Sequence, residues 1–163
     1  MSKPFRERAD PLQFFIHAGR FEYACDYLAL EASISKKTLL SLTINVISAF
    51  TSELYLKTLL LIHTSSAPHG HDLSNLFRNL PMHIRKNIDR RWDAQFNRSQ
   101  MRPPSNLVDL LAVCGRAFEE LRYPGPETRF DLHDLPAILK GTILEVKPQW
   151  RKLRQAQPTS RAH

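Results

Sequence analysis

A chain of 163 residues can bury one core of ordinary size without metals or disulfide staples, and 42% apolar with 24% charged side chains is the composition of a globular protein, which excludes a chain disordered throughout. The formal net charge is +7, from 23 Lys and Arg against 16 Asp and Glu. Cys25 and Cys114 lie far apart with no Cys-x-x-Cys partner, which argues against a disulfide framework or a zinc site and for two buried, reduced thiols.

The start, Met1 to Arg8, is not followed by an apolar core of signal-peptide type, and no apolar run reads as long enough to span a bilayer. A cytoplasmic protein without membrane contact is therefore expected. Asp10-Pro11-Leu12-Gln13 opens the first helix, with Asp10 as N-cap, Pro11 at the first helical position and Gln13 placed for a capping box. That helix should run to about Ala32 with Leu12, Phe15, Ile16, Tyr23, Tyr27 and Leu30 as its core stripe.

The second helix, from about Ser35 to Thr64, is the most apolar segment, with Leu39, Leu42, Val46, Ala49, Phe50, Leu54, Leu59 and Leu60 covering most of its circumference. Such a helix belongs at the centre of a bundle. Glu53 and Lys57 stand out in it, because a charge buried without a partner costs several kcal/mol. Ser65 to Gly70 reads as a turn, after which Asp72 caps a short helix carrying Leu73, Leu76, Phe77 and Leu80.

Pro81 restarts the chain into a basic helix ending near Phe96. Between residues 78 and 102, Arg78, Arg85, Lys86, Arg90, Arg91, Arg98 and Arg102 are balanced only by Asp89 and Asp93. A block of this kind concentrates polyanions, so RNA or DNA is a reasonable partner class; a solvated basic face is the plain alternative. Pro103-Pro104 lies in a loop, and Asn106 with Asp109 caps the next helix, whose core stripe is Leu107, Leu110, Leu111, Cys114, Phe118 and Leu121. Pro124-Gly125-Pro126 stops it.

A last helix from about Asp134 to Val146 uses Leu135, Ile138, Leu139 and Leu144, with Ile143 sharing the face. Gly141 weakens it and Pro148 limits it. No segment alternates with period two, so the fold class is all-α, a bundle of roughly five helices over residues 1–147. Residues 148–163 read as a basic, flexible tail, since Lys147, Arg151, Lys152, Arg154 and Arg161 follow the last acid, Glu145.

Three segments line up in order: Glu53-Leu54-Tyr55-Leu56-Lys57 with Leu59-Leu60, then His71-Asp72-Leu73, then Arg122-Tyr123-Pro124-Gly125. In this order the chain resembles the HEPN superfamily over about residues 10–147. The resemblance implies a helical bundle, often a homodimer, that binds nucleotides or RNA. It also implies, in several branches, metal-independent ribonucleases encoded as toxins beside a nucleotidyltransferase antitoxin. Those catalytic branches carry an Arg, four to six intervening residues and then a His. Neither Arg116 nor Arg122 has that histidine. Arg78 and His83 fit the spacing but straddle Pro81, ahead of the helix where the motif belongs.

Residues for nucleotide or RNA binding are therefore Glu53, Lys57, His71, Arg122 and Tyr123. Glu53 and Lys57 share a helix face and are either a simple ion pair or the organisers of His71 and Arg122 in a cleft. Arg122 can fork onto a phosphate, or onto Glu53, and Tyr123 can stack on a base; a structural salt bridge and a packed ring are the equal alternative. His71 either fixes its turn or joins the site. His133 is the remaining base for a metal-free cleavage, if a loop returns it toward Arg122. His69 and His71 are two ligands without a third, so no metal and no cofactor is expected. The reading is a binding module without catalysis, with a ribonuclease toxin and a dimerising interaction module as alternatives.

Overall fold

The computed structural model describes residues 9–35, 40–65, 69–99, 106–114 and 132–156. These residues form α1 (Pro11–Ser35), α2 (Leu40–Thr64), α3 (Leu73–Arg78), α4 (Met82–Ser99), α5 (Leu107–Cys114) and α6 (Leu135–Val146), then a 3-10 segment, Pro148–Ala156. No strand occurs among the described residues, so the all-α bundle holds, with six α-helices there against the five or so expected. The proposed caps form as well. The Asp10 side chain accepts from the Leu12 backbone at 2.9 Å, Asp72 from Asn75 at 3.0 Å and Asn106 from Val108 at 3.0 Å.

The second helix is central, as its apolar circumference predicts: α2 packs along α1 and also against α3 and α6, and Tyr55, Leu56, Leu59 and Leu60 are buried. Each such leucine contributes about 2 kcal/mol of transfer free energy. By length and composition Leu42–Thr64 is able to cross a bilayer, contrary to the expectation that no run is long enough. Most of its apolar window, 61%, is buried in the bundle, and it carries a charged pair.

α1 differs from its predicted stripe. Phe15 is buried, but Tyr23, Tyr27 and Leu30 are exposed, at 70%, 62% and 59%. The face turned to the core carries Phe15, Ala18 and Cys25. Small residues there let α2 lie close: a Cβ on Gly19 would stand 3.9 Å from the Tyr55 hydroxyl. α1 thus has two apolar stripes on opposite sides, and the bulkier one faces out. Leu42 on α2, expected in the core, is also half-exposed.

Among the described residues the remaining stripes match; Leu39, Phe118 and Leu121, also expected in them, lie outside the described residues. Leu73, Leu76, Phe77 and Leu80 are all buried, as are Leu107, Leu111 and Cys114 on α5 and Leu135, Ile138, Leu139 and Ile143 on α6; Leu110 and Leu144 pack on this core half-buried. Both cysteines are free and buried, and burial pushes the Cys114 thiol up to about 12. α4 is joined to α6 by Arg91, which pairs with Glu145, while Asn87 donates to the same carboxylate at 3.0 Å and accepts from Arg91 at 2.9 Å.

Beyond residue 147 the chain continues as the 3-10 segment, whose Trp150 packs on the core with its ring 5.1 Å from that of Phe15.

Candidate functional site

The structure brings together three of the five proposed site residues. Glu53 and Lys57 are one turn apart on α2, and Lys57 Nζ lies 2.8 Å from Glu53 Oε1. His71, 18 residues further on, returns to the same oxygen with Nδ1 at 2.9 Å. Local chemistry explains the return. Gly70 has φ of +96°, a conformation that strains any side chain, and Asp72 immediately caps α3, so His71 is pinned between a glycine turn and a helix cap.

A carboxylate only accepts hydrogen bonds, so His71 donates from Nδ1 and its other nitrogen, Nε2, is left as an acceptor in the neutral ring. The Glu53 side chain is 5% exposed and that of Lys57 12%, whereas that of His71 is 66% exposed. The arrangement is a buried anion that holds a mostly buried ammonium and orients an imidazole at the surface. An ammonium and an oriented ring at one point suit a phosphate or a base edge. Arg116, Arg122, Tyr123, Pro124 and Gly125 lie outside the described residues.

The basic stretch is divided by the fold. Arg91 is engaged with Glu145 and Asn87, whereas Arg78, Lys86 and Arg90 are exposed; the last two lie one turn apart on α4. Asp89 beside them has its pKa raised by burial and by Asp93, against the pull of Arg85.

Two polar clusters escaped the sequence reading. Glu22 on α1 accepts from the Tyr55 hydroxyl at 2.8 Å and pairs with Lys140 of α6. His133 sits beside Cys25, with Nδ1 3.9 Å from the thiol, and that thiol also meets Ser48 Oγ at 3.1 Å and the Ile44 carbonyl at 3.6 Å. No sequence signal links residues separated by 118 or 108 positions, as these are. Among the described residues no three His, Cys, Asp or Glu side chains gather as a metal set.

His83 meets His63 edge to face, with ring centroids 5.7 Å apart. Burial first, then His83 and Lys147, hold the His63 pKa below its ordinary 6.5. The unfolded chain therefore takes up the His63 proton more readily than the folded one. That stability contribution is complete above pH 6.5 and is lost as pH falls below it. The urea midpoint should accordingly drop between pH 7.5 and pH 5.5, and His63→Gln should flatten the drop. An equal drop in both proteins would discount His63.

Comparison of the chain with protein-family models, with curated proteins and with solved structures finds no match.

Proposed function

We propose that this chain is a cytoplasmic HEPN-like module that binds a nucleotide or RNA without cleaving it, through Glu53, Lys57, His71, Arg122 and Tyr123. It would work beside a nucleic-acid-processing partner, such as the nucleotidyltransferase antitoxin of a toxin–antitoxin pair. The observation that carries this reading is the meeting of Lys57 and His71 on one buried oxygen of Glu53. Two of the three motif segments that carry the family resemblance converge there. A buried carboxylate that merely balanced Lys57 within its own helix would not need an exposed histidine from the next one. The exposed Arg78, Lys86 and Arg90 add a diffuse attraction for polyanions.

The test is titration of the full chain with labelled single-stranded RNA and with labelled ATP, without metal, over a salt series. RNA binding should weaken by about twentyfold between 50 and 200 mM salt if about three phosphates are contacted. Glu53→Leu combined with Lys57→Leu should abolish binding while circular dichroism stays unchanged. Binding that survives this pair, or no binding by the parent chain, would overturn the proposal. Cleavage of the RNA that disappears in Arg122→Ala would put a ribonuclease in its place.

A further inference from the structure

We infer that the outer face of α1 is the interface of an antiparallel homodimer, with the two copies of α1 packed face to face about a two-fold axis near residue 25. The face consists of Ile16, Arg20, Tyr23, Tyr27, Leu30 and Ile34, which recur at alternating spacings of four and three residues. That is the seven-residue repeat with which two helices pack side by side. Tyr23, Tyr27, Leu30 and Ile34 are 70%, 62%, 59% and 70% exposed, and Arg20 is exposed among them. The bundle therefore leaves uncovered a seam about 21 Å long from Arg20 to Ile34, with Ile16 half-buried beyond its end.

Its size fits a second copy. The four large side chains expose on the order of 500 Å² per protomer. Two copies would bury about 1,000 Å², the lower bound of a specific interface. A single-helix ligand would leave the same surface with no reason for the charge pattern that follows.

That pattern decides the orientation. On a helical wheel Arg20 and Glu31 lie on the same edge of the seam, separated by three turns. A parallel pair would set Arg20 against Arg20 of the second copy inside the apolar seam, at a cost. A two-fold axis perpendicular to the helices instead keeps each edge on its own side and reverses the chain direction. Tyr27 then meets Tyr23 of the other copy, Ile34 meets Ile16, and the stem of Arg20 crosses Leu30 with its guanidinium beside Glu31. A carboxylate accepts from more than one donor, so Glu31 can take this one in addition to its contacts within its own chain. Asp26, about a quarter turn from the seam, stays in solvent.

The experiment is sedimentation of the full chain at tens of micromolar with a charge-swap series. The parent should be a dimer, Arg20→Glu and Glu31→Arg should each weaken it at least about tenfold, and the combined variant should return to within about threefold of the parent. Arg20 and Glu31 are about 16 Å apart along one helix, so a rescue cannot arise within one chain. Tyr27→Glu should give monomers with an unchanged helix signal. A monomeric parent, a dimer indifferent to Tyr27→Glu, or single variants that the combined swap does not rescue would each overturn the inference. It stands apart from the binding reading: RNA binding by a monomer would sink this interface alone.

Discussion

Replacing Lys57 with methionine should destabilise the protein by about 3 kcal/mol, because it takes away the ammonium and leaves the buried Glu53 carboxylate with the His71 ring alone among the partners described above. The pair itself is not where the stability resides. Both charges lost water to reach α2, and their attraction does little more than offset that loss. Glu53→Leu combined with Lys57→Leu should therefore unfold within about 1 kcal/mol of the parent, in the same urea titration that shows Lys57→Met far weaker. If the single and double variants unfold alike, Glu53 is better solvated than its 5% exposure indicates, and the pair is only a surface tie. A double variant that folds normally yet binds nothing would mean that two charges are kept in the central helix for a ligand, at no gain in stability.

The parts legible in the sequence are those fixed by short-range chemistry. Asp72, with Leu73, Leu76, Phe77 and Leu80, states a cap and one apolar face, and the structure has both. Glu53 and Lys57 were visible because α2 is otherwise so apolar, and their spacing of four made their contact predictable. His71 was visible by resemblance, and its contact with Glu53 depends on a glycine turn whose direction no periodicity encodes. The stripe expected to be buried on α1 is exposed for a physical reason. Apolar periodicity gives the existence of a stripe but not what covers it, and α1 has two stripes. Close helix packing selected the smaller residues, Ala18 and Cys25, for the inside, while the bulkier Tyr23, Tyr27 and Leu30 drew the prediction. The partners of Glu22 and Cys25 were out of reach, since only tertiary packing brings residues 140 and 133 to them.

Lys140→Met should be the second large loss, of about 3 kcal/mol, and it tests whether stability and binding reside in separate polar clusters. Glu22 is 12% exposed, and without Lys140 it keeps only the neutral Tyr55 hydroxyl among the partners described above. Adding Glu22→Gln should recover part of the loss, since a neutral amide still accepts from Tyr55 and no longer demands a cation. Arg91→Met gives the contrast: its pair with Glu145 is open to solvent, and its removal should cost less than about 1 kcal/mol. Tyr55 lies about 200° around α2 from Glu53, so the two buried carboxylates sit on opposite sides of the central helix. Lys140→Met should thus lower the urea midpoint yet leave RNA affinity unchanged wherever the chain is folded, whereas Lys57→Met should reduce both. Equal losses of affinity in the two variants would show that binding follows the integrity of α2 as a whole, and would remove Glu53 and Lys57 from any direct part in it.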